Sequence, residues 1–265
     1  MVLPRVQVRE LRRTYGFDEV AIVPGDVTTN PELSEPTLRI GPYDFSIPIL
    51  ASAMDAIVSP EFAGLMAKAG GLGVMNLEGV FSRYEDPIAA IQEISAAPRE
   101  GLTEVLQRIY TAPIKEHLIG QRVQEIKATG AVIAVSVTPQ NTKRLAPLAV
   151  EAGADIIVVQ STVTTARHIS NSYTGLHFSE LVDQLPVPVL VGNTVTASAT
   201  LELMEQGIAG VLVGVGPGAA CTTRDVTGMG VPQVSATLEC AAARDEFYAR
   251  TGRYVVIITD GGIRT

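Results

Sequence analysis

The chain has 265 residues, with 20 basic against 28 acidic side chains and a net charge of −8. That length suits one large α/β barrel or two ordinary domains, and it buries a full core without disulfide or metal staples. The acidic balance, the absence of Trp and a 5% aromatic content argue against a nucleic-acid partner, which needs a basic stripe or a stacking platform.

Two cysteines, Cys221 and Cys240, cannot form a disulfide framework or a Cys-x-x-Cys zinc site, so a reducing, cytoplasmic setting is expected. No apolar stretch approaches the ~20 residues of a membrane span, so no membrane partner is expected. The opening MVLPRVQVRELRRTYG is charged but has no apolar h-region and does not read as a secretory signal.

Residues 1–46 carry Pro24, Pro31, Pro36 and Pro42 and are expected to wrap the base of the fold. Short apolar runs then predict buried strands at Ile47–Ala51, Leu72–Asn76, Ala131–Val137, Asp155–Gln160, Val187–Gly192, Gly210–Val215 and Tyr254–Thr259. Unbroken Val/Ile/Leu runs, rather than alternation, belong to parallel strands covered on both faces. Helical patterns fall between them at Pro60–Ala69, Glu116–Thr129, Pro139–Ala152, Ser179–Gln184, Ala197–Gln206 and Pro232–Thr251. Residues 77–130 read as a helical insertion after the second strand, with patterns at Pro87–Ser95 and Gly101–Tyr110.

Alternating strand and helix implies right-handed βαβ crossovers and a parallel sheet. The expectation is a (β/α)8 TIM barrel forming a single catalytic domain over 1–265, with seven of its eight strands within the chain. The closing strand would then fall beyond Arg264–Thr265. An open doubly wound sheet is the structural alternative.

In such a barrel the site lies at the C-terminal ends of the strands. Seven segments should therefore share one mouth: Ser52–Asp55, Asn76–Glu78, Pro139–Asn141, Gln160–Thr164, Asn193–Thr196, Gly214–Thr223 and Asp260–Gly262. The richest is GVGPGAACTTRD, Gly214 to Asp225, whose alternate glycines let the backbone turn tightly and approach a ligand. Gly214, Gly216 and Ala219 satisfy a loose G-x-G-x-x-A pattern, but no helix-forming run follows at once, so a dinucleotide fingerprint is weak. Cys221 ends this loop, which favours a functional thiol over an inert one. Cys240 sits mid-helix in SATLECAAARDEF and reads as packing. His117, His168 and His177 read as solvated.

GVGPGAACTTRDVTGMGVPQ closely resembles the catalytic loop of the IMP dehydrogenase / GMP reductase family. FDEVAIVPG, ILASAMDAI, GGLGVMN, VGNTVT and TDGGI resemble further family segments in the right order. The resemblance implies that Cys221 attacks C2 of the purine as a thiolate, that hydride passes to NAD, and that water releases XMP from IMP. Thr223 would contact the base or that water. A monovalent cation, potassium, would be held by the carbonyls of Gly216, Gly218 and Cys221. Ser52, Met54, Asn193, Ala219, Asp260, Gly261 and Gly262 would bind the nucleotide, Asp260 at the ribose hydroxyls and the two glycines at the phosphate. Gln160, Ser161, Thr162, Gly214, Val215 and Gly216 would face the cofactor.

This chain departs from the family pattern at two of these positions. Ala219 replaces a common Ser, and Gln160 replaces the Asp that dehydrogenases usually carry. The reductases use a Lys just after the second strand, where Leu77 stands here, so the dehydrogenase is favoured. A GMP reductase and a purine-nucleotide-binding relative without turnover are the alternatives. A homotetramer is implied by the resemblance alone.

Overall fold

The computed structural model describes residues 12–169 and 175–264, so residues 1–11 of the expected wrapping segment lie outside it. Two short strands come first, β1 (Leu38–Ile40) and β2 (Tyr43–Phe45). The main ladder then alternates β3 (Leu50–Ala51), α1 (Pro60–Lys68) and β4 (Leu72–Asn76). Three helices follow, α2 (Pro87–Ala96), α3 (Leu102–Thr111) and α4 (Glu116–Lys127). Next come β5 (Ala134–Val137), α5 (Thr142–Glu151), β6 (Ile156–Gln160), α6 (Phe178–Gln184), β7 (Val189–Thr194) and α7 (Ala197–Glu205). The described chain finishes with β8 (Gly210–Val213), α8 (Thr223–Thr227), α9 (Gln233–Thr251) and β9 (Val256–Thr259).

Strands β3 to β9 form one seven-stranded sheet in sequence order, every neighbouring pair parallel. This is the curled parallel half-barrel expected from the seven apolar runs. Alternate residues of each strand enter two different cores, which is why the runs are unbroken. On β6, Ile157 and Val159 join the layer between sheet and helices, while Ile156 and Val158 point into the barrel.

The inner core is completed by a feature that the sequence reading missed. β1 and β2 form an antiparallel hairpin, pairing Leu38 with Phe45 and Ile40 with Tyr43. Ile40 and Phe45 are buried against Leu72, Val74, Ala134, Ile156, Val158 and Leu190. Tyr43 Oη donates to Asp155 Oδ1 at 2.9 Å, just before β6, and Asp155 Oδ2 accepts the Ile133 N–H at 2.8 Å. Leu72, Ala134 and Ile156 begin their strands, and Ile133 and Asp155 immediately precede β5 and β6, so the hairpin plugs the base. Burial and the Asp155 carboxylate raise the Tyr43 phenol pKa.

The residues after β4 pack as helices over one side. Buried Arg122 on α4 ties them together, donating to the carbonyls of Phe81, Tyr84 and Glu85 and to Glu125. At the other end of the fold, the Tyr15 N–H donates to Ser235 Oγ at 2.8 Å, joining the N-terminal segment to the start of α9. Among the described residues no helix is long and apolar enough to cross a membrane.

Candidate active site

The strand order brings the polar strand ends together at one rim. A cleft of about 230 Å³ is lined by Gln160, Ser161 and Thr162 after β6, Asn193 on β7, Gly214 to Gly218 with Cys221 and Thr223 after β8, and Asp260 and Gly261 after β9. A second cleft of about 290 Å³ takes Ser52, Ala53 and Met54 from the β3 end, Asn76 from β4 and Ser136 to Thr138 from β5. Gln160 and Asp260 line both, so they form the wall between the two spaces.

That wall is a closed set of hydrogen bonds. Gln160 Nε2 donates to Asn193 Oδ1 and to Asp260 Oδ2, each at 3.0 Å. Asn193 Nδ2 donates to the same Asp260 oxygen at 2.7 Å. Asp260 is thus oriented by two amides, as a carboxylate that accepts hydrogen bonds prefers.

The thiol sits in the other wall. Cys221 Sγ lies 3.2 Å from Thr223 Oγ1. The Thr223 hydroxyl, its backbone N–H and that of Gly216 hold the Cys221 pKa below its ordinary value, against slight burial and the charge of Asp225. The second cysteine is the opposite case: Cys240 is fully buried in α9, and burial pushes its pKa up to about 11.

The loop's glycines have a packing reason. Gly214 has φ +154°, and a β-carbon there would collide with the Asp260 carbonyl oxygen. Gly216 has φ +76°, and a β-carbon there would collide with the stem of Arg224. The expected gap before any helix is filled by the five-residue α8, which starts at Thr223 and ends on Gly228 in the left-handed region. A five-residue helix beginning after Cys221 does not provide the long helix of a dinucleotide fingerprint.

The expected substrate and cofactor residues mostly converge on the two clefts. Ala219 and Gly262 line neither; Ala219 is exposed, while Gly262 packs beside Pro217 and Gln233. Leu77 is fully buried between sheet and helices, so its side chain does not reach the mouth. Ser136 and Thr138 were not singled out, although a Ser inside the apolar run Ala134–Val137 was a visible signal. His117 pairs with Glu85 at 3.0 Å on the surface. His168 instead lines a further cavity of about 220 Å³ beside Ser161, with Pro139, Leu176 and Phe178. Among the described residues no Lys or Arg lines the two main clefts, and no cluster of His, Cys, Asp and Glu could hold a metal ion.

A curled parallel α/β sheet with a thiol of lowered pKa on a Gly-rich rim loop defines a barrel protein whose mouth carries a cysteine. Residues 14–265 match the IMP dehydrogenase / GMP reductase domain, and the chain belongs to that family. It is 38% identical over 264 residues to an uncharacterized oxidoreductase of Mycolicibacterium smegmatis, a match covering 97% of this chain and 70% of the relative. It is 30% identical over 256 residues to an inosine-5'-monophosphate dehydrogenase of Cryptosporidium parvum, covering 94% and 61%. The crystal structure of an IMP dehydrogenase/GMP reductase-like protein from Corynebacterium glutamicum superposes with a TM-score of 0.89 at 36% identity, covering 99% of this chain and 70% of that one.

Proposed function

We propose that the protein is a purine-nucleotide oxidoreductase that converts IMP, NAD and water to XMP and NADH. The observation that supports this reading most is the Cys221 thiol, its pKa lowered by Thr223, in one cleft with the Asp260 carboxylate. The thiolate adds to C2 of the base, and the carbon–sulfur bond is retained when the C2 hydrogen departs with its electron pair. NAD, when bound, supplies the acceptor for that hydride. Water then attacks C2 of the Cys221 thioimidate, one of its protons going to the ring nitrogen N3 and the other to solvent, and the thiolate leaves as XMP forms.

The remaining residues bind and orient. Asp260 accepts from the ribose hydroxyls, and the N–H of Gly261, which lines the cleft, serves the phosphate, with the N–H of Gly262 next to it in the chain. Among the described residues no Lys or Arg lines the clefts, and the backbone N–H groups of the Gly-rich rim are the donors that would meet a phosphate. Ser161, Thr162 and Gly214 to Gly216 line the space where the nicotinamide half would lie, a surface of hydroxyls and exposed backbone that fits an uncharged ring and its ribose. Carbonyl oxygens of Gly216, Gly218 and Cys221 are hard donors suited to potassium. The Gly218 carbonyl accepts the Cys221 N–H at 3.1 Å and keeps one lone pair for an ion. The same family resemblance supports a cytoplasmic homotetramer.

NADH absorbance with IMP, NAD and potassium, beside a Cys221→Ala control, tests the proposal. NADH that forms only with the native cysteine supports the dehydrogenase. NADPH consumption with GMP makes the protein a reductase. An IMP-induced rise in Tm without turnover in either direction makes it a binding protein.

A further inference from the structure

We infer that Gln160 is a positioning residue for Asp260: its side-chain amide holds the carboxylate that divides the two clefts, and so prepares it for the substrate side of the site. What Asp260 then binds rests on the purine reading; the positioning itself does not.

The bond pattern carries the inference. An amide nitrogen has two hydrogens. Those of Gln160 are directed to Asn193 Oδ1 and to Asp260 Oδ2, both at 3.0 Å. Neither is then left for a cofactor hydroxyl, and only the Gln160 Oε1 acceptor can face outward. Asn193 completes the ring through its own 2.7 Å bond to Asp260 Oδ2. Two donors on one oxygen fix the carboxylate plane and leave Oδ1 as the acceptor for a ligand.

The charge pattern agrees. An acid at position 160 would stand beside Asp260, and two carboxylates in one site cannot both ionise cheaply. With a neutral amide at 160, Asp260 is the single carboxylate lining either cleft among the described residues. Position 160 differs from the usual dehydrogenase acid in a way that the geometry explains: here it serves the neighbouring side chain rather than the cofactor ribose.

Gln160→Glu is nearly isosteric and supplies the test, with no ligand needed. In the variant the introduced carboxyl must share a proton with Asp260, so its folded pKa is raised above the unfolded value of about 4.3. Below that unfolded value the shared O–H replaces the amide donor and stability is retained. As pH rises through the raised folded pKa, the proton and the stability are lost.

Among the described residues, Cys221, on the loop after β8, is the other titratable side chain lining these clefts. It is common to both proteins and cancels in the difference. Melting wild type and Gln160→Glu side by side from pH 4.5 to 8 should give a Tm deficit that grows with pH by about 2–4 °C for each unit of raised pKa. Adding Asp260→Asn to the variant removes the pair and should flatten the profile. A deficit independent of pH, or one that persists unchanged in the double variant, overturns the inference.

The same samples with added IMP separate this result from the purine reading. A growing deficit without any IMP-induced shift in wild type keeps the positioning role and sinks the purine substrate. An IMP shift with a flat deficit does the reverse.

Discussion

The two ends of the barrel are built on opposite terms. At the base, Ile40 and Phe45 close the inner core, and a polar anchor, Asp155, has both oxygens engaged by Tyr43 and Ile133. At the mouth, the strands end in Ser, Gln, Asn and Asp, and the loop after β8 puts a partly exposed thiol beside open space. The same parallel sheet carries both. One end is satisfied internally and contributes stability; the other leaves acceptors, N–H groups and a thiol of lowered pKa at the rim of a cleft. The two cysteines repeat the contrast, one with a lowered pKa in a loop, the other with a raised one inside a helix.

The largest effect that could break this division is at Cys221. Replacing it with Ala should lower turnover by at least about a thousandfold while leaving Tm close to wild type. Cys240→Ala should leave turnover unchanged. Steady-state NADH formation on both variants decides the matter; equal losses would mean that the mouth and core cysteines do not differ as described. At the base the signs reverse. Phe45→Ala should cost about 3–5 kcal/mol of stability by opening a cavity under the sheet, with activity per folded molecule retained. Urea unfolding and an active-site titration would check the two halves of that statement. Tyr43→Phe is a finer cut at the same place. It removes the donor to Asp155 Oδ1 but leaves the Ile133 bond, so the expected loss is about 1 kcal/mol, read as a shift in urea midpoint.

How much of this was legible before the structure follows from the same division. The ladder was readable because each strand is buried on both faces, and β4 runs over Leu72–Asn76 as its apolar run predicted. The other strands begin or end up to three residues away from their runs, as β5 does by starting at Ala134 instead of Ala131. The base plug was not readable. Strands of three residues carry no periodicity, and the Gly41–Pro42 turn between them looked like one more irregular proline. Likewise α8, with three β-branched residues in five, has no helical signature; it forms where Gly228 can end it. The Cys221 loop was legible because its residues are contiguous. The Gln160–Asn193–Asp260 wall was not, because 33, 67 and 100 positions separate its members and only the strand order closes the ring.

The smallest prediction tests why the mouth thiol differs from an ordinary one. Thr223→Val keeps the shape at the loop but removes the hydroxyl, the largest cause of the lowered Cys221 pKa. The pKa must then rise, so the inflection of alkylation rate against pH moves to higher pH. Below that inflection the thiolate fraction falls tenfold for each unit of rise. A more basic thiolate is also more nucleophilic, with a Brønsted slope of about 0.4–0.5, which returns roughly threefold. The net loss at neutral pH is therefore about threefold per unit, measured as the iodoacetamide rate at Cys221 by mass spectrometry. An unmoved inflection would mean that the backbone N–H groups of Thr223 and Gly216 suffice to activate the thiol. The Thr223 hydroxyl would then be free to serve the substrate or the attacking water instead.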